Sequence, residues 1–227
     1  MKNLAIIPAR GGSKRIPRKN IKNFLGKPII AYSIEAVINS GLFDEVMVST
    51  DDEEIVDIAK QYGAQVPFLR SEKTANDYAT LSDVIDEVVE EYSMREKEFD
   101  NVCLILATAP FIKSEGIIEA YNKLINNVCS MVYPIAEFSY PILRSLSRSE
   151  DGYVVMNHPE HLRTRSQDLP PAYYDTGTYY WHKLNCKEEE KDKKIGVVID
   201  QCYVQDIDTE SDWNYAELKY KLLFCEK

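Results

Sequence analysis

The sequence predicts an α/β fold with a largely parallel sheet. Short apolar runs alternate with amphipathic stretches of helical period along most of the chain. The first apolar run is closed by Pro and followed by a Gly-rich turn, as at the carboxyl end of a buried strand. The 227 residues, 44% hydrophobic and 28% charged, supply an ordinary globular composition and length enough for a sizeable core.

Taken in order, Leu4 to Pro8 reads as a buried strand and Ala9 to Asn20, polar with two Gly, as a loop. Pro28 opens a helix to about Asn39. Glu45 to Ser49 is the next strand, and the acids after Thr50 start a helix that Gly63 stops. Ala64 to Leu69 reads as a third strand. Leu81 to about Tyr92 places Val84, Ile85, Val88 and Val89 on one helical face. Val102 to Leu106 is the most apolar strand, Ser114 caps a helix to about Asn126, and Ser130 to Pro134 is a further strand.

The rhythm breaks between Phe138 and Tyr174. Four prolines and several Arg and Tyr residues mark an excursion from the sheet, either a lid or an oligomer arm. Gly177 to Trp181 and Gly196 to Asp200 return as strands, Glu188 to Lys194 is a solvated charge run, and Thr209 to about Phe224 is a terminal helix.

Net charge is −10, which argues against a nucleic-acid binder. Yet residues 1–34 hold eight cations and no acid, while the rest holds all 37 acids against 19 cations. Such asymmetry fits a confined site for a small, highly charged anion. No apolar run is long enough to span a bilayer, and the short N-terminal apolar stretch lacks a cleavage pattern, so a cytoplasmic protein is expected. Five cysteines without a Cys-x-x-Cys favour neither a disulfide framework nor a thiolate metal site. None of the three histidines stands in a nucleophile motif.

The strongest chemical feature is the segment from Pro8 to Asn20. Gly11, Gly12 and Ser13 suit a turn whose backbone N–H groups face phosphate oxygens. Arg10, Lys14 and Lys19 would neutralise a triphosphate and a departing pyrophosphate. The spacing matches neither the dinucleotide fingerprint nor the P-loop. The second feature is Asp206-Ile-Asp208. Carboxylates at i and i+2 of an extended segment project to one side and offer hard oxygens to Mg²⁺, although Asp208 or Thr209 could instead cap the last helix. The third is Arg163 to Pro170, whose guanidinium groups suit a carboxylate or belong to an exposed arm.

The blocks Ala9-Arg-Gly-Gly-Ser-Lys-x-x-Pro-x-Lys-Asn20 and Phe24-x-Gly-Lys-Pro-x-x-Ala-Tyr-Ser-Ile34 resemble the CMP-sialic acid synthetase family. Val48-Ser-Thr-Asp51, Leu69-Arg70, Arg163 to Leu169 and Val204 to Glu210 follow in that family's order, so the resemblance spans nearly the whole chain. The turn Tyr174-Asp-Thr-Gly177 and the ending are similar to the branch that takes pseudaminic acid.

The resemblance implies a doubly wound, Rossmann-like nucleotidyltransferase core over residues 1–227, with an inserted dimerisation arm at about 138–175. It implies CTP plus a nonulosonic acid going to a CMP-sugar and pyrophosphate in a homodimer. Arg10, Ser13 and Lys19 would meet the CTP phosphates, Asn20 would lie near the nucleotide, and Arg70 and Thr80 near the base or ribose. Asp206 and Asp208 would hold Mg²⁺, and Arg144, Arg165 and Gln167 would lie near the sugar or the partner subunit's site. Arg10, Lys19, Asp206 and Asp208 are the residues expected to carry catalysis. The alternatives are the same chemistry on legionaminic, N-acetylneuraminic or Kdo acid, and a nucleotide-binding protein without catalysis. Two departures bear on the sugar. Leu106 stands where a sialic acid synthetase has Gln, and Tyr174-Asp-Thr-Gly-Thr178 stands where it has Arg-Pro-Asn-Gly-Ala. A less polar pocket suits a deoxygenated, diacetamido sugar.

Overall fold

The computed structural model describes residues 1–225. In chain order its strands and helices are β1 (Asn3–Pro8), a two-residue ribbon of β2 (Asn23–Phe24) and β3 (Lys27–Pro28), α1 (Ile29–Ser40), β4 (Glu45–Ser49), α2 (Glu53–Gln61), α3 (Glu72–Ala75), α4 (Leu81–Ser93), β5 (Asn101–Ile105), α5 (Ser114–Asn126) and β6 (Met131–Glu137). The excursion carries β7 (Leu146–Arg148) and β8 (Val154–Met156), and the chain returns through β9 (Tyr173–Asp175), β10 (Tyr179–Lys183), β11 (Lys194–Val198) and α6 (Glu210–Tyr220).

The main sheet has the order β11-β6-β10-β5-β1-β4, with β9 pairing on β6. Strands β4, β1, β5, β6 and β11 point the same way, and β10 and β9 oppose them. The expected mostly parallel sheet is therefore present. The alternation along β1 explains why it is doubly wound. Ala5 and Ile7 face the cluster built with Ile30 and Ile34 of α1, Ile55 of α2 and Ile117 of α5. Leu4 and Ile6 face the opposite cluster, with Val84 and Val88 of α4. Burying each such side chain contributes about 1.5–3 kcal/mol, so a strand apolar on both faces is stable only under helices on both sides.

Several boundaries differ from expectation. Ala64 to Leu69 forms no strand. Gln65 bridges to Met47 alone, donating its N–H to Val46 O (2.7 Å) and accepting from Val48 N (2.9 Å). Pro67 then has no N–H with which to continue the ladder. Ser114 is the first residue of α5 and not its cap, and Pro28 precedes α1 instead of opening its first turn. The first returning strand starts two residues later than expected, because Gly177 sits at φ +61° in the turn before β10, and the second runs two residues earlier, over Lys194–Val198. Glu190, inside the charge run, is buried against Lys183 (2.7 Å). The last helix ends at Tyr220 and continues as a wider turn, Lys221–Cys225.

The excursion leaves the sheet at the carboxyl end of β6 and rejoins it at β9. Its hairpin of β7 and β8 packs on no core cluster, and Leu146, Tyr153, Val154 and Val155 are each more than half exposed.

Candidate active site

A third cluster fixes the site. Ile16, the one apolar side chain among the cations of the loop after β1, is fully buried with Phe24, Ile29, Ile207 and Trp213. Ile207 is likewise the one apolar side chain between two acids, and is 1% exposed. One small core thus pins the cationic loop against the Asp206–Asp208 segment. Because Ile207 points inward, its neighbours at i−1 and i+1 project away from it together.

The contacts that result are specific. Lys19 Nζ donates to Ile207 O (2.7 Å) and lies 3.5 Å from Asp208 Oδ1, while Arg15 Nη1 is 2.7 Å from Asp208 Oδ2. The cap of α6 is not Asp208. Thr209 Oγ1 accepts from Asp212 N, and the Asp212 carboxylate accepts from Thr209 N in return, a full capping box. Asp208 is thereby left to face the loop's cations. Asp206 is exposed, with no ion pair among the described residues.

Beside this lies a cavity of about 520 Å³ at the carboxyl edge, between the loop, the start of α4 and the segment after β5. That volume suits a nucleotide-sized ligand. Arg10, Ser13, Lys14, Lys19, Asn20, Arg70 and Thr80 all line it, so seven of the expected nucleotide contacts meet in one place. Arg70 is buried, with its Nε on Ser49 Oγ (3.0 Å) and Nη2 on Ser49 O (2.8 Å). Burial depresses its pKa without removing the charge. Asn20 donates to Arg10 O (3.0 Å), bracing the loop. Thr80 caps α4 through a box with Asp83.

Other expected residues lie elsewhere. Gly11 does not offer its N–H to the cavity, because that group donates to Asp51 Oδ1 (2.9 Å). Its lack of a side chain serves a different need, since a Cβ there would meet Asp52 Oδ2 at 2.5 Å. Gly12 does not line the cavity either. Arg144, Arg165 and Gln167 are on the excursion. Arg144 Nη1 donates to Thr164 O (2.9 Å), and Arg165 and Gln167 are exposed. None of the three reaches this cavity.

Sequence reasoning passed over Asp77. It lies in the cavity wall, 2.7 Å from Arg10 Nη1 and in contact with Lys14 Nζ. Those hydrogen bonds, Lys14's first, hold its carboxyl below the usual range. The only signal was that Asp77 is one of two acids, with Glu72, between Arg70 and the cap of α4, opposite a loop without acids. Leu106, singled out for its polarity, does line the cavity, and its N–H is held by Thr178 O (2.8 Å). Thr176 and Thr178, in the second departure, are buried and bonded to each other (3.0 Å).

Comparison with known proteins fits this arrangement. A family model described as cytidylyltransferase matches residues 4–218. A pseudaminic acid cytidylyltransferase of Campylobacter jejuni is 44% identical over 98% of this chain and 97% of its own length. A CMP-N,N'-diacetyllegionaminic acid synthase of Legionella pneumophila is 34% identical over 96% of this chain and 95% of its own. Among solved structures, a CMP:2-keto-3-deoxy-manno-octonic acid synthetase complexed with CTP shares the fold with a TM-score of 0.67 at 17% identity, covering 96% of this chain and 98% of that one. The chain belongs to the cytidylyltransferase family and is a nucleotidyltransferase.

Proposed function

We propose that this enzyme transfers CMP from CTP to the anomeric hydroxyl of pseudaminic acid. The observation that carries the reading is the cavity at the carboxyl edge, where Arg10, Ser13, Lys14 and Lys19 converge on space for a triphosphate. The choice of sugar is supported by the similarity to the Campylobacter enzyme and by Leu106 in the cavity wall, where an apolar side chain favours a deoxygenated sugar.

In the proposed reaction the anomeric oxygen attacks the α-phosphorus. The new O–P bond forms as the bond from that phosphorus to the bridging oxygen breaks, and pyrophosphate leaves. Lys19 and Arg10 stabilise the charge that builds on the leaving group, and Arg70 and Thr80 orient the nucleoside end. The hydroxyl proton goes to a carboxylate. Asp206 and Asp208 are the carboxylates beside the loop, Asp208 paired with Arg15 and Lys19 and Asp206 exposed.

The donor set fits a magnesium ion. Asp206 and Asp208 offer hard oxygens from one side of an extended segment beside the loop's cations. Among the described residues no group of three or more metal-ligating side chains occurs, so phosphate oxygens would have to complete the shell. Bound there, the ion would neutralise phosphate charge.

The arm supports a homodimer. Apolar side chains of its hairpin, Leu146, Val154 and Val155, are exposed, and Arg144, Arg165 and Gln167 lie away from this chain's cavity, as expected if they serve a neighbour's. A cytoplasmic setting is in keeping with an odd count of five cysteines that includes no Cys-x-x-Cys.

The test is pyrophosphate release with CTP and Mg²⁺, run in parallel on pseudaminic, legionaminic, N-acetylneuraminic and Kdo acids. Release with pseudaminic acid in clear preference is expected. Release with another acid would keep the chemistry and overturn the sugar. No release with any would overturn the catalytic reading and leave a binding protein.

A further inference from the structure

Both ends of the phosphate loop converge on two acids at the start of α2. At one end, Gly11 donates its N–H to Asp51, and only the absence of a Cβ lets it pack on Asp52. At the other, Arg18 forks onto Asp52, with Nη2 2.9 Å from Oδ1 and Nη1 in contact with Oδ2, and its Nη2 also reaches Glu54. Asp52 is already fixed in place, because its Oδ1 caps α2 by accepting from Glu54 N and Ile55 N (3.1 Å each).

The backbone at Arg18 shows what the fork does. Arg18 sits at φ +56°, in the left-handed region that side chains other than Gly rarely occupy. The turn it makes is short: Arg18 O accepts from Ile21 N (3.0 Å) and Lys22 N (2.9 Å), so the next residue, Lys19, is aimed at Ile207 O. Arg18 itself does not line the cavity.

We infer that Arg18 is a positioning residue, whose pairing with Asp52 holds the left-handed turn that presents Lys19 and the rest of the loop to the triphosphate. The inference rests on the proposed reading of that loop as the CTP site. The fork also explains why Arg18, alone of the loop's five cations, does not line the cavity.

The decisive variant is Arg18→Gly, because Gly keeps the left-handed φ at no steric cost while removing the guanidinium. Arg18→Lys retains charge without the fork. Asp52→Asn retains an oxygen to cap α2 and removes the partner charge. Each is compared with wild type by CTP titration, steady-state kinetics and thermal melting. Arg18→Gly is expected to raise KM for CTP about tenfold, the effect of one charge-assisted hydrogen bond, with KM for the sugar and Tm near wild type. Arg18→Lys is expected to recover part of the loss. The Arg18→Gly, Asp52→Asn double variant is expected to be no worse than either single variant. Wild-type affinity for CTP in Arg18→Gly would overturn the inference alone. So would equal rises in both KM values with a lowered Tm, which mark a merely structural role. A wild-type protein that binds no CTP would overturn the functional reading, and this inference with it.

Discussion

The loop after β1 and the arm after β6 leave the same edge of the sheet, and both are rich in arginine. They are held in opposite ways. In the loop, Arg10, Lys14, Arg15, Arg18 and Lys19 each pair with a carboxylate of the same chain. Ile16 anchors the loop in a core. In the arm, no arginine has an ion pair among the described residues, and the apolar side chains of the hairpin are exposed. The loop is a part organised before any ligand arrives, and preorganised charge is what stabilises a transition state. The arm has groups to spare and little of its own to pack them on. That difference supports the proposed roles, the loop in this chain's chemistry and the arm at an interface.

The largest expected effect tests the organised side. Asp208→Ala should lower pyrophosphate release by at least about a hundredfold, the scale for removing one preorganised electrostatic group. The fold should survive, because Thr209 and Asp212 cap α6 without it. Circular dichroism and melting check the fold, and wild-type-like rates would refute the proposed role.

The next tests the other side. If the proposed dimer forms through the arm, Val155→Asp, at a position 68% exposed, should convert it to monomer in sedimentation velocity. A sharper version mixes two variants. If the arm completes a neighbour's site, Arg10→Ala and Arg165→Ala should each be inactive alone. Re-associated together they should recover about a quarter of wild-type activity, since half the dimers are mixed and each carries one intact site. Recovery of nothing would mean that Arg165 serves its own chain's site, and an active Arg165→Ala would place it outside the site.

Leu106 lies between the two regions, on the wall of the cavity after β5. Leu106→Gln should raise the ratio of N-acetylneuraminate to pseudaminate turnover, by about tenfold if one polar contact is restored. An unchanged ratio would move the sugar's discrimination to the arm.

How much of this was legible differs between the same two regions. The core strands were readable because β1 and β5 are apolar on both faces, and few structures other than a covered parallel sheet tolerate that. The loop was readable because its five cations, in a stretch of 34 residues without an acid, stand out in an acidic chain. The acids that hold the loop were not. Asp52 and Asp77 are 34 or more residues away from Arg18 and Arg10, and sequence spacing carries no sign of such pairing. The same holds for Gly11, whose reason is a carboxylate packed against it and not a phosphate. Ala64 to Leu69 misled because its apolar residues outweighed one proline. In the arm, composition revealed an excursion, and it carries no sign of the partner proposed for it.

Asp77 gives the smallest effect and the finest probe of the loop's organisation. Its carboxylate rests on Arg10 and Lys14, two cations proposed to meet the triphosphate, so CTP has to displace it. Asp77→Asn should therefore lower KM for CTP by about threefold, the range open to an exposed ion pair. The dependence on conditions distinguishes this from a change of shape. The pairing depresses the pKa of Asp77, so the contact is present above the ordinary carboxylate range and is lost only as pH falls below it. Between pH 7 and 9 the ratio of the two KM values should be flat. Salt should shrink the ratio, because screening weakens the same pair that CTP competes with. A higher KM in Asp77→Asn would mean instead that Asp77 props Arg10 and Lys14 in place. The loop's carboxylates would then all be supports, and none a competitor.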